Sequence, residues 1–246
     1  VLKGPGAAAL YGQRGANGAI IITTKSGSKQ KGIGVTVNSN TSIQTVFGGP
    51  DLQYEYGQGV DGDNYYSYNA SEDGPSTRST SSAWGPRFNG QEYYQYDPVT
   101  HTKSTVRTPW VPYKDAAMDF FKTGRTFTNS VTLDGGTEKT SARFSFTNVN
   151  NTWIIPNTGY DRNSIALSVN QTVNDKLKIS TKINYNNKSS DNLPSTGYNN
   201  QSIMYWFMFW EPNASLDWLK DYWMPGKENI AQSYPFSSYP DNPYLH

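Results

Sequence analysis

The chain has no cysteine in its 246 residues, so neither a disulfide framework nor a cysteine metal site can form. Histidine is almost missing: His101 and His246 stand far apart, which argues against a zinc or nucleophilic site built on histidine. Charge is scarce as well. Charged residues make up 17% of the chain, where an ordinary soluble domain carries about 25%. The 21 Lys and Arg nearly cancel the 20 Asp and Glu, and a net charge of +1 gives no electrostatic footprint for nucleic acid. No apolar run reaches the ~18 residues that would mark a transmembrane helix. The mean hydropathy of -0.71 is that of a polar chain. It does not exclude a membrane β-barrel, whose strands need only about 9–11 residues, every second one facing lipid. A signal peptide is also lacking at Val1, which opens inside a pattern; the expectation is that the natural N-terminus lies upstream.

Aromatic residues, at 14% of the chain, and neutral polar ones take the place of charge. From Val35 onward five segments alternate strictly. Val35, Val37, Ile43 and Phe47 oppose Thr36, Asn38, Ser42 and Gln44. Phe127, Val131 and Leu133 oppose Thr126, Thr128, Ser130 and Thr132. Ala142, Phe144 and Phe146 oppose Arg143, Ser145 and Thr147. Ile165, Leu167 and Val169 oppose Ser164, Ser168 and Asn170. Leu177, Ile179, Ile183 and Tyr185 oppose Lys178, Ser180, Lys182 and Asn184. A period of two over so many segments is strand, not helix. Tight turns are expected at Gly135–Lys139 and Val173–Asp175, and long connections over 48–125, 151–162 and 189–246. Short turns on one side and long loops on the other suit an outer-membrane barrel better than a sandwich.

The segment before the strands is distinctive. Leu2-Lys3-Gly4-Pro5, Ala9-Leu10-Tyr11-Gly12, Ala16-Asn17-Gly18-Ala19-Ile20 and Thr23-Thr24-Lys25-Ser26-Gly27 follow one another. This run resembles the end of the plug domain of TonB-dependent outer-membrane receptors, in the form found in the SusC/RagA branch. Phe120-Phe121-Lys122-Thr123-Gly124, Asn129-Ser130-Val131, Pro156-Asn157-Thr158, Asp175-Lys176-Leu177 and Asn242-Pro243-Tyr244 are similar to markers of that branch, in the same order. The resemblance implies an all-β fold: part of an antiparallel transmembrane barrel, about five strands, preceded by the end of a plug. Residues 1–27 would be plug, 28–33 linker and 34–246 barrel with extracellular loops. Lys3, Gly4, Leu10, Tyr11, Gly12, Ala16, Asn17 and Gly18 carry the plug motif, and the run Ile20–Ile22 reads as a short strand buried on both faces. A phosphate loop is excluded, since no Gly-Lys-Ser/Thr ending and no GxGxxG opening a helix occur.

The resemblance implies transport without bond chemistry: a nutrient importer in the bacterial outer membrane, not an enzyme, with no bound cofactor. It implies outer-membrane lipid around the barrel and a SusD-like surface lipoprotein as partner. It also implies energy from TonB-ExbB-ExbD through a missing N-terminal region, and a glycan or peptide substrate. Trp84, Trp110 and Trp153 fall in the expected loops, with Tyr65, Tyr66, Tyr93 and Tyr94, and aromatic faces stack on sugar rings and peptide side chains. Asp61, Asp63, Glu72 and Asp73 also cluster there, but Tyr65 and Tyr66 break any EF-hand spacing, so a solvated loop is the reading. Trp206, Phe207, Phe209 and Trp210 form the densest apolar patch and are expected at an interface with a partner or with other loops; Asn213 or Ser215 would cap a helical turn after it. The competing readings are a secreted carbohydrate-binding or adhesin β-sandwich and, with less behind it, a glycoside hydrolase, for which no carboxylate pair can be placed.

Overall fold

A computed structural model of the chain describes residues 1–23, 25–27, 32–59, 62, 83–114, 116–199, 202–235 and 242–245. In chain order its strands are β1 (Gly32–Gln44), β2 (Glu92–Tyr93), β3 (Tyr96–Asp97), β4 (Thr102–Lys103), β5 (Thr108–Pro109), β6 (Gly124–Gly136), β7 (Thr140–Thr152), β8 (Gly159–Asn174) and β9 (Leu177–Ser189). Its helices are α1 (Pro5–Tyr11), α2 (Ala116–Asp119) and α3 (Ile203–Met208), with tighter turns at Gly12–Gly15 and Leu216–Leu219. One antiparallel sheet of five strands runs in the order β1-β6-β7-β8-β9. β2 pairs with β5, and β3 with β4, in two small sheets.

All five alternating segments form strands of one sheet, except that β1 ends at Gln44 and leaves Phe47 beyond it. Tight turns join β6 to β7, where the Thr137 N–H donates to the Thr140 carbonyl at 2.7 Å, and β8 to β9, where the Lys176 N–H donates to Asn174 Oδ1 at 2.9 Å. The chain forms two compact units. The first comprises Val1–Asn40, Thr128–Asn148 and Arg162–Lys188; the second comprises Thr41–Phe127, Val149–Asp161 and Ser189–His246.

In the first unit the burial of the sheet is inverted relative to a soluble protein. On β7 the apolar set Ala142, Phe144 and Phe146 is exposed, while Ser141, Arg143 and Ser145 on the other face are buried or half-buried. β6 repeats the pattern, with Val131 and Leu133 exposed and Thr132 buried, and on β8 Ile165 is exposed while Ser168 is buried. Charge is sorted the same way. Within this unit the parity holding Val37, Val131, Phe144, Leu167 and Ile179 carries no Asp, Glu, Lys, Arg or His. Asp134, Arg143, Arg162, Lys178, Lys182 and Lys188 all have the opposite parity.

Hydrogen-bonded polar pairs interrupt the apolar face at defined levels. Between β7 and β8 the Asn148 amide donates to Asn163 at 2.9 Å. At the turn end Thr140 bonds Gln171. This register sets Phe144 opposite Leu167 and Phe146 opposite Ile165, a purely apolar stretch closed by polar pairs at both ends. Thr140 and Asn148 lie about 27 Å apart along the strand, at ~3.4 Å per residue. At the same edge of the stretch, Ser39 on β1 donates to Asn129 on β6 at 2.7 Å.

Residues 1–27 depart from their expected form. Pro5–Tyr11 forms α1, which Leu10 and Tyr11 close; Gly12 follows with a φ of 63°, a conformation that favours glycine. Gly15 lies so close to Ala7 that a Cβ would meet the Ala7 carbonyl oxygen at 2.5 Å. The expected buried strand over Ile20–Ile22 does not form. Ile20 and Ile22 are 75% and 83% exposed, and the one bridge is Leu2 to Ala19. A strand persists through ladder partners, and past Ala19 the described residues supply none. The connection expected at 151–162 is shorter than read, because β7 runs to Thr152 and β8 starts at Gly159. Of the linker 28–33, residues 28–31 lie outside the described residues, and Gly32 and Ile33 already belong to β1.

Candidate functional site

The second unit gathers most of the aromatic residues that the sequence singles out, and they fall into separate clusters. α3 and the turn at Leu216–Leu219 pack with α2 around Ala116, Ala117, Phe120, Ile203, Phe207, Leu216 and Leu219. Ser215 caps the turn, its hydroxyl accepting from the Asp217 N–H at 3.2 Å. Phe120 meets Phe207 edge-on at 5.1 Å and Tyr244 at 5.2 Å. Asn242, fully buried, ties the C-terminal segment to this core: its amide donates to the carbonyls of Leu219 at 2.9 Å and Ser233 at 3.1 Å, and its Oδ1 accepts from the Tyr244 N–H at 2.9 Å.

Of the four residues expected at an interface with a partner or with other loops, two are buried within this unit. Trp206 is 1% exposed and Phe207 7%, which leaves neither ring open to a partner. Phe207 packs with α2 and the Leu216–Leu219 turn, while the Trp206 ring meets Tyr205 at 5.6 Å and Tyr234 at 5.9 Å. Phe209 and Trp210 are half-buried. Phe209 stacks edge-on with Tyr205 at 5.3 Å, and the Trp210 Nε1–H donates to the Ala214 carbonyl at 3.1 Å.

The three candidate ligand tryptophans have different settings. Trp110 is wholly buried between Phe88, at 4.7 Å, and Tyr93, at 5.3 Å. Gly57 lies flat on its ring, where a Cβ would come within 2.4 Å. Trp110 therefore holds the loop together and presents no face to a ligand. Trp84 is 63% exposed and stacks on Tyr56 at 5.7 Å. Trp153, half-buried in the β7–β8 connection, packs on Tyr160 at 5.6 Å. Asp61, Asp63, Tyr65, Tyr66, Glu72 and Asp73 lie outside the described residues. His101 is buried in the β3–β4 hairpin with its Nε2 3.7 Å from Asp221. Among the described residues no three His, Cys, Asp or Glu side chains group as metal ligands would.

The structure adds a pocket that the sequence does not announce. Leu52, Tyr54, Tyr113, Met208, Trp210 and Pro212 line a space of about 150 Å³. Burial pushes the Tyr113 phenol above its ordinary pKa, so it stays a neutral donor. No charged side chain lines the pocket. Three rings and two aliphatic side chains suit the apolar face of a sugar ring or a hydrophobic peptide side chain. These residues come from three separate stretches of chain and share no periodicity, so only Trp210 stood out in the sequence.

No family model matches the chain, and no curated protein is similar enough to it to count as a relative.

Proposed function

We propose that this chain is part of a TonB-dependent outer-membrane importer of the SusC/RagA kind, taking up oligosaccharides or peptides with a SusD-like surface lipoprotein. In this reading the apolar face of β1 and β6–β9 contacts outer-membrane lipid, the polar face lines the lumen, and residues 1–27 end the plug. The second unit then gathers the extracellular loops, whose open aromatic pocket and Trp84 meet substrate. TonB-ExbB-ExbD acts through a region outside this chain.

One observation carries the reading: within the first unit the sheet's apolar face is exposed and free of charge, with that unit's strand cations on the other face. The charges that share the apolar parity, Arg125 and Asp161, stand near the ends of β6 and β8, outside that unit. In water, exposing Phe144, Phe146, Leu133 and Ile165 together is unfavourable, since burying each such side chain is worth about 1.5–3 kcal/mol. In hydrocarbon the same face is at home, and a charge on it is what would be costly. The plug motif Lys3, Gly4, Leu10, Tyr11, Gly12, Ala16, Asn17 and Gly18, with the downstream markers, supports the same family. A secreted carbohydrate-binding or adhesin sandwich calls for a second sheet over that face, and its side chains are open.

The absence of cysteine makes the test clean. Single cysteines at Phe144, Leu167, Ser145 and Ser168 can each carry a polarity-sensitive fluorophore in chain reconstituted into lipid vesicles. Probes at Phe144 and Leu167 are expected to shift to the blue and to be quenched by lipid-borne quenchers; probes at Ser145 and Ser168 are not. Equal lipid quenching at all four positions would sink the proposal.

A further inference from the structure

The polar face of the first unit contains a cavity of about 210 Å³ that the transport reading leaves unused. Three cations line it: Lys25, from the segment before β1, Arg143 on β7 and Lys182 on β9. Ser145, Ser168 and Asn184 add hydrogen-bonding groups, and no carboxylate is among the residues that line it. Ser168 is 7% exposed, and its Oγ is buried with no hydrogen-bond partner. A buried hydroxyl without a partner is rare in a folded protein, because its desolvation goes uncompensated. Beside three positive charges, the partner it lacks is an acceptor, and an anionic one.

We propose that this cavity binds a small oxyanion of the phosphate or sulfate class. Arg143 offers the planar fork that meets two oxygens at once, Lys25 and Lys182 supply point charges, and the Ser168 hydroxyl donates to a further oxygen. The volume suits the ligand. At about 30 Å³ per water, the space holds a tetrahedral oxyanion and part of its hydration shell. The site joins Lys25 to β7 and β9, so an occupied cavity also fastens the segment before β1 to the sheet; Gly27 already touches the Ala142 backbone, where a Cβ would come within 2.4 Å. The proposal stands on this local geometry and does not depend on the transport reading.

Inorganic phosphate and sulfate are the probes, titrated into the full chain in detergent micelles at pH 7. Ionic strength is held with chloride, and bound anion is measured by equilibrium dialysis. One saturable site is expected. Arg143→Gln should weaken it at least tenfold, Lys182→Gln by a similar factor, and Ser168→Ala severalfold. Lys178→Gln, which removes a charge from the same face of β9 outside the cavity, should leave affinity within twofold. Far-UV circular dichroism confirms that each variant keeps the sheet, and Ser168→Ala, the mildest change, carries the test if a charge variant misfolds. Absence of saturable binding overturns the site, and so does equal weakening by Lys178→Gln and Arg143→Gln, which would mark diffuse attraction to a basic face.

Discussion

Asn242 shows what one side chain can hold. Its amide satisfies two buried carbonyls, from Leu219 and Ser233, and its Oδ1 receives the Tyr244 N–H. Truncation to alanine orphans all three groups, and each unsatisfied buried group costs about 1–3 kcal/mol. Asn242→Ala should therefore destabilise the second unit by about 3 kcal/mol or more, read as a lower denaturant midpoint of tryptophan fluorescence; a loss below about 0.5 kcal/mol would show the bonds to be replaceable by water. Two tyrosines set a pH limit on the same unit. Tyr113 and Tyr244 have pKa values raised by burial. A phenol whose folded pKa exceeds its unfolded value keeps the extra protons on the native side, so its stabilisation is complete below the unfolded pKa of about 10 and is lost as pH rises through the folded value. Thermal melts followed by tryptophan fluorescence should drop in midpoint above about pH 10, and Tyr113→Phe with Tyr244→Phe should flatten that drop. An unchanged alkaline slope in the double variant would remove these phenols as the cause.

At the scale of elements, legibility followed periodicity. The five strands were readable because Val35–Val37, Val131–Leu133, Phe144–Phe146, Ile165–Val169 and Leu177–Ile183 keep one parity, which only a pleated strand converts into a single face. The tight turns at Thr137 and Lys176 were readable from small and polar residues. α3 was not. Ile203–Met208 is six residues long, apolar all round and without a side-chain cap, so neither a stripe nor a start signal marks it. The same lack of pattern hid the fate of Trp206 and Phe207. Composition shows that such rings must be covered, and only the fold shows that Phe120, Leu216 and Leu219 pack with Phe207 while Tyr205 and Tyr234 meet Trp206. Ile20–Ile22 erred in the opposite direction: an apolar run resembles a buried strand, yet burial belongs to partners that the run itself cannot name.

For the whole molecule, the exposed apolar face and the two sheet edges dominate behaviour in solution. β1 and β9 end the five-strand order and are exposed along their full length. Edges of thirteen residues, with no proline in either strand to blunt them, are templates for pairing with other copies. Expressed alone, the chain should aggregate in plain buffer and become monodisperse only in detergent, as followed by light scattering on size-exclusion effluent. A monodisperse monomer without detergent would count against an apolar face built for lipid.

The polar pairs on that face also bear on how the strands find their alignment. A slip of one residue between β7 and β8 is self-defeating, because it turns Phe144 and Leu167 to opposite sides. A slip of two is the dangerous error, since every side chain keeps its face. Asn148 would then meet Ile165 in one direction, and Asn163 would meet Phe146 in the other, each amide stranded among hydrocarbon. Alternation thus rejects odd misalignments and the asparagines reject even ones, so this hairpin carries its own proofreading.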